Sequence, residues 1–93
     1  METPSTGPTG RPKTPRRASA VLFGAELKAH RDASGFSQAA LAAESGLSTD
    51  FVSKMERGLR QPALETMLRL GEVLGVSAAS MVAAVERVWE REP

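Results

Sequence analysis

The sequence contains no cysteine and no tyrosine, and it has a single histidine and a single tryptophan. Without cysteine there is no disulfide, and one histidine alone cannot supply the usual zinc ligand sets. No glycine-rich phosphate loop follows a strand, and the carboxylates are scattered along helical surfaces, so we expect neither metal, cofactor nor enzyme activity. No apolar run is long enough for a signal peptide or a bilayer span, so we expect a cytoplasmic protein without a membrane partner.

The net charge is small and unevenly distributed. The 93-residue chain carries +1, whereas residues 1–19 carry +3 and contain four of the six prolines, which leaves −2 for the remainder. Such a segment cannot bury enough apolar surface to offset the entropy lost on ordering. We therefore divide the chain into a disordered basic arm, residues 1–19, and one folded domain, residues 20–93. The arm is either a solvated tail or an extension that follows DNA phosphates or enters a minor groove.

One short motif, a glycine followed by an apolar residue and a serine, occurs three times in the folded domain. Glycine can end a helix in the left-handed conformation, and the serine hydroxyl can accept from the free N–H groups of the next helix. Each apolar residue precedes another by five positions, which is the spacing of a hydrophobic staple. The motif predicts three helix-to-helix turns, at Gly35-Phe36-Ser37, Gly46-Leu47-Ser48 and Gly75-Val76-Ser77.

Apolar residues at helical spacing predict five helices and no strand. We expect helix 1 over residues 21–34, helix 2 over 38–45 and helix 3 over 49–57. Helix 4 follows Pro62 and ends at Gly75, and helix 5 begins after Ser77. The predicted fold class is all-α. Helices 2 and 3, joined by a three-residue turn, form the smallest unit that can place one helix in a DNA groove while another braces it, which indicates DNA binding.

Several motifs between residues 23 and 81 resemble the lambda-repressor/Cro-like, or XRE-type, helix-turn-helix family. In chain order they are Phe36-Ser37-Gln38, Leu41-Ala42, Gly46-Leu47-Ser48, Val52-Ser53, Met55-Glu56-Arg57-Gly58 and Pro62. Small Ala42 suits a close helix crossing, while Val52 and Met55, three positions apart, can anchor the inner face of helix 3. The resemblance implies a compact five-helix lambda-repressor-like domain that binds double-stranded DNA, with helix 3 as the recognition helix in the major groove.

The outer face of helix 3 is the predicted reading surface, and it carries Thr49, Asp50, Ser53 and Lys54. Lys54 can donate to guanine O6 and N7, and Asp50 can accept from the cytosine amino group. Thr49 offers a hydroxyl or a methyl group, and Ser53 can reach a base or a phosphate. Two alternatives stay open: Asp50 complements the helix dipole, and Lys54 is simply solvated. Phe51 either covers the edge of the core or contacts a thymine methyl group.

A second set of residues is expected to contact DNA phosphates. Gln38 opens helix 2, where side-chain and backbone donors and the helix dipole favour an anion, and Ser37 precedes it as the cap. The resemblance implies that Arg57 and Arg60, just after helix 3, hold the DNA backbone without reading its sequence.

The resemblance also implies a structural ion pair between Arg31 in helix 1 and Glu56 at the end of helix 3. A partly buried bidentate pair of this kind would hold the two helices together.

The apolar stripe on helix 5 predicts a dimer interface formed by Met81, Val85, Val88 and Trp89. A folded part of about 70 residues leaves much apolar surface uncovered, and pairing would bury it. The alternative is that these side chains cover helix 1 within one subunit. A two-fold homodimer would set its recognition helices about 34–36 Å apart, matching pseudo-palindromic half-sites.

Together these features predict a transcriptional repressor that binds operator DNA as a homodimer. A phage repressor, a restriction-modification controller and an antitoxin all fit this layout. The alternative from another class is a protein-interaction module that keeps the helix-turn-helix shape without reading DNA. The slightly acidic folded domain and Asp50 keep that alternative open.

Overall fold

The computed structural model describes residues 18–92. Within that range the chain forms five α-helices and no strand, which confirms the predicted all-α class. The helices are α1 (Ser19–Ser34), α2 (Gln38–Ser45), α3 (Thr49–Glu56), α4 (Leu64–Leu74) and α5 (Ala78–Arg91). The bounds of α2 are the predicted ones, whereas α1 begins two residues earlier and α3 ends one residue earlier than expected.

The predicted basic arm falls largely on residues 1–17, which lie outside the described residues. Its last residue, Ser19, belongs instead to the first turn of α1, where the carbonyl of Ala18 accepts hydrogen bonds from Val21 and Leu22. The Ser19 hydroxyl also forms a hydrogen bond with the Gln61 side chain, 3.2 Å from Nε2. Ser19 therefore belongs to α1, while the predicted division of the chain into an arm and a folded domain stays a prediction.

The three glycine-apolar-serine motifs each end one helix and begin the next. In the central turn Gly46 has φ +70°, and its N–H group bonds to the last turn of α2. Because a side chain is strained at positive φ, glycine is the residue that lets α2 stop within one position. The serine hydroxyls then accept from the backbone N–H three residues later at 3.0 Å, in the pairs Ser37 to Ala40, Ser48 to Phe51 and Ser77 to Ser80.

The core lies where all five helices meet, and every helix contributes at least one fully buried apolar side chain. These side chains are Leu27 of α1, Leu41 of α2, Val52 and Met55 of α3, Leu70 of α4 and Met81 of α5. The position of Met81 corrects the predicted dimer interface, because a side chain with 0% exposure inside its own subunit has no surface to offer a partner. Phe51 is half-buried and packs against the core, which agrees with the prediction that it covers the edge of the core.

Helix α1 packs against α3, α4 and α5, while α2 packs against α3 and α4. The contact between α1 and the end of α3 is close: a Cβ atom built on Gly24 would lie 2.2 Å from the carbonyl oxygen of Met55. Between residues 18 and 92 no single helix has the length and apolar composition to cross a bilayer. Helices α4 and α5 meet those criteria only when taken together, and they bend by 111° at their junction.

Candidate nucleic-acid interface

Helix α3 separates its buried and exposed side chains cleanly. Val52 and Met55 are 0% exposed and fix the inner face to the core. On the opposite face Thr49 and Asp50 are exposed, and Ser53 and Lys54 are half-buried. The Asp50 and Lys54 side chains are 70% and 40% exposed, so the reading surface predicted for helix 3 is accessible to a ligand.

Asp50 and Lys54 lie one helical turn apart and form an ion pair. The Nζ of Lys54 is 3.0 Å from the Oδ2 of Asp50. The two side chains were predicted as separate base readers, although their spacing of four residues is the usual one for an ion pair on a helix surface. The reading surface therefore carries one paired cation and no unbalanced charge from these two residues.

The segment after α3 holds the two arginines predicted to contact phosphates. Arg57 is the C-cap residue of α3 and is exposed. Arg60 is also exposed, and its guanidinium carbon lies 5.8 Å from the centroid of the Phe51 ring. A cation–π contact at this distance keeps the guanidinium near α3. Both cations therefore border the reading surface at the C-terminal end of α3.

The start of α2 has a different arrangement from the one expected for Gln38. Ser37 caps the helix, as predicted, because its Oγ accepts from the Ala40 N–H. The Gln38 side chain is half-buried, and its Nε2 donates to Oε1 of Glu56 at 2.9 Å. This amide therefore braces the end of α3, and the free backbone N–H groups of the first turn are the donors best placed for a phosphate.

Arg31 and Glu56 form the centre of a buried polar network. The Nε and Nη2 atoms of Arg31 donate to the two carboxylate oxygens of Glu56, and Nη1 donates to the carbonyl of Phe36 at 2.7 Å. The two side chains are only 10% and 3% exposed. These hydrogen bonds from Arg31 to Glu56 raise the pKa of Arg31 despite its burial, so it stays protonated. One guanidinium thus ties α1 to the turn before α2 and to the end of α3.

The other predicted interface residues lie on α5, where Val85, Val88 and Trp89 are half-buried. Val85 packs against the core and also lines an apolar cleft of about 180 Å³ between the start of α1, α4 and α5. Three exposed apolar side chains are not among the predicted interface residues: Val82, which also lines the cleft, and Leu64 and Leu68 of α4. Leu64 and Leu68 are one turn apart on α4 and are 67% and 53% exposed, which is the signal that they do not belong to the core.

Comparison with known proteins places this arrangement among helix-turn-helix proteins. A family model described as a helix-turn-helix domain matches residues 22–84, which include all of α2 and α3. The HTH-type transcriptional regulator y4dJ of Sinorhizobium fredii is 36% identical over 61 residues, which cover 66% of this chain and 79% of that protein. Other relatives are longer, and the match covers 39% to 52% of their length.

Two solved structures extend the comparison to three dimensions. The restriction-modification controller protein C.AhdI from Aeromonas hydrophila has a TM-score of 0.67 and 37% identity, covering 70% of this chain and 98% of that one. The master regulator for biofilm formation SinR, solved in complex with DNA, has a TM-score of 0.62 and 28% identity, covering 64% of this chain and 97% of that one. The similarity thus includes a structure in which DNA is bound.

Proposed function

The chain belongs to the lambda-repressor-like helix-turn-helix family of DNA-binding transcriptional regulators, and we propose that it is a repressor that binds a pseudo-palindromic operator as a homodimer. The observation that carries this proposal is the orientation of α3, whose inner face is locked in the core while Asp50 and Lys54 face outward. The names of a similar controller protein and of SinR support a regulatory role. In this proposal the protein acts in the cytoplasm, needs no cofactor and is not an enzyme.

In this proposal the residues around α3 divide into two groups. Base edges in the major groove are contacted by the outer face of α3, through Thr49, Asp50, Ser53 and Lys54. DNA phosphates are contacted on both sides of that face. The phosphate contacts are the first turn of α2, at Ser37 and Gln38, and the two arginines after α3, Arg57 and Arg60.

Selection of binding sites from random DNA tests the proposal, with affinity then measured at two salt concentrations. We expect an enriched palindrome whose half-sites are about one helical turn apart, because each subunit of a two-fold dimer presents one recognition helix. Absence of any enriched site would reject the proposal and would favour a protein-interaction module on the same scaffold.

In the same titrations, Arg57→Ala should weaken binding to the selected site and to random DNA by similar factors. The reason is that a phosphate contact carries no sequence information, so its loss should also reduce the slope of log affinity against log salt by about 1. An Arg57→Ala protein that loses affinity only for the selected site would contradict the assignment of Arg57 to a phosphate.

The proposed dimer interface combines the accessible parts of Val85, Val88 and Trp89 with the neighbouring Leu64, Leu68 and Val82. Its support is the exposure of three large apolar side chains on α4 and α5, the helix pair that contributes Met67, Val82 and Val85 to the apolar cleft, in a small domain whose fully buried core is formed by other residues. A two-fold axis through this patch would place the same apolar patch of each subunit against the other.

Val82→Glu should convert the dimer into a folded monomer at micromolar concentration. The Val82 side chain is 43% exposed on α5, so a glutamate fits the isolated subunit but would place an unpaired charge in the interface. Sedimentation equilibrium measures the mass, with Leu59→Glu as the matched control, because Leu59 is 60% exposed in the loop after α3. Equal dimer fractions for the two variants would rule out this interface.

A further inference from the structure

The ion pair on the outer face of α3 has a geometry that matches a base pair. The Lys54 Nζ, a donor, and the Asp50 Oδ2, an acceptor, are 3.0 Å apart, and both side chains are accessible from the same side of the helix. In a G·C base pair the major groove presents guanine O6, an acceptor, and cytosine N4, a donor. These two atoms are joined by the base-pair hydrogen bond, so they too are separated by about 2.9–3.0 Å.

We propose that the intact Asp50–Lys54 pair reads a single G·C base pair. Lys54 donates to guanine O6 while Asp50 accepts from the amino group of the paired cytosine, so each charge keeps its partner and gains one hydrogen bond to a base. The inference rests on the proposed function, since it specifies what the reading surface of α3 recognises. It differs from two separate contacts in one respect: both residues act on the same base pair.

The same pair discriminates against A·T. Adenine N6 and thymine O4 also offer a donor beside an acceptor, but the next group on each side is unfavourable. With thymine in the place of guanine, adenine N7, an acceptor, would face the Asp50 carboxylate, and the thymine methyl group would lie against the Lys54 ammonium. With adenine in the place of guanine, Lys54 would face the N6 donor and Asp50 the O4 acceptor, so neither hydrogen bond could form. In G·C the neighbouring group is guanine N7, a second acceptor for Lys54. Reversal to C·G exchanges donor and acceptor, so the pair also fixes the orientation of the base pair.

A paired lysine also limits binding to random DNA. A free ammonium near the backbone would replace condensed counterions and strengthen binding to any sequence. Here the Asp50 carboxylate balances that charge at 3.0 Å and would be repelled by phosphates. The pair therefore favours the correct base pair while contributing little to nonspecific affinity.

A double-mutant cycle tests the inference with Asp50→Asn, Lys54→Met and the double variant. Affinity is measured for the wild-type selected site and for sites in which each position in turn carries the other three base pairs. Each single variant should reduce discrimination at one and the same position by about 10- to 100-fold. The double variant should lose no more than either single variant, because the two residues act as a unit. Asp50→Asn should in addition bind random DNA more tightly and with a steeper salt dependence.

Another exposed pair provides the matched control. Lys28 and Asp32 are also four residues apart, their Nζ and Oδ2 atoms are 3.2 Å apart, and they lie on α1. Lys28→Met and Asp32→Asn make the same changes in charge and should leave the base preference at every position unchanged. The Asp50, Lys54 and Lys28 variants should melt close to the wild type, because exposed pairs contribute little to stability. Asp32 Oδ1 also lies 3.4 Å from Nη1 of Arg31, so Asp32→Asn is a control for base preference and not for stability.

Three results separate the possible failures. If the wild-type protein enriches no DNA sequence, the proposed function fails. If it enriches a site but Asp50→Asn and Lys54→Met relax different positions, the two residues read bases independently and the inference is overturned. If Asp50→Asn leaves every base preference intact, Asp50 reads no base and the inference is likewise overturned.

Discussion

Arg31→Ala should lower the free energy of unfolding by about 3 kcal/mol, because removal of one partner leaves the other as an uncompensated buried charge. That partner is Glu56, whose side chain is only 3% exposed. The truncation also removes the donor to the Phe36 carbonyl. For a domain of this size the loss corresponds to a fall in melting temperature of more than about 10 °C, measurable by circular dichroism.

A second ion pair supplies the control for that measurement. Arg69 and Glu65 on α4 form a pair at 2.7 Å, but their side chains are 48% and 81% exposed. Arg69→Ala should therefore shift the melting temperature little. Equal melting temperatures for Arg31→Ala and Arg69→Ala would show that the buried network does not stabilise the fold. Replacement of both Arg31 and Glu56 by methionine should cost less than Arg31→Ala alone, since no charge is then left without a partner.

The features that could be predicted from the sequence are those set by neighbouring residues. Each of the three turns needs a glycine where the preceding helix ends and a serine three residues before the N–H group that it caps, and both requirements can be seen in the sequence. The two faces of α3 follow from the spacing of Val52 and Met55 in the same way. The pairing of Arg31 with Glu56, 25 residues apart, was suggested only by the family resemblance.

The features that were missed depend on packing between distant segments. Gln38 was predicted to offer side-chain and backbone donors to a phosphate, and the hydrogen bond of 2.9 Å from its amide to Glu56 was not foreseen. Met81 belongs to an apolar stripe on α5 that is too broad for all of its side chains to face the core. Helical periodicity alone therefore could not separate the side chain that faces the core from those that face outward. The pairing of Asp50 with Lys54 was visible as a spacing of four residues and was overlooked.

Gly24→Ala is expected to destabilise the domain by about 1–3 kcal/mol, although alanine is the better helix former by about 1 kcal/mol. Gly24 lies within α1, where its new Cβ atom would meet the carbonyl oxygens of Met55 and Glu56 at 2.2 and 2.9 Å. Both neighbours are backbone atoms at the end of α3. They cannot rotate away as a flexible side chain can, so α1 and α3 must separate.

The sign of the change decides whether this contact matters. If α1 and α3 did not approach each other closely at Gly24, Gly24→Ala would raise the free energy of unfolding, because helix propensity would be the only effect left. Gly35→Ala is the control, since a Cβ atom there meets nothing within 4 Å and the cost comes only from a φ of +77°, about 1 kcal/mol.

Because the clash displaces α3 as well as weakening the core, Gly24→Ala should also lose affinity for the selected DNA under conditions where it is fully folded. Gly35→Ala should retain that affinity. A Gly24→Ala protein that is more stable than the wild type would show that the close contact at Gly24 does not hold α1 against α3.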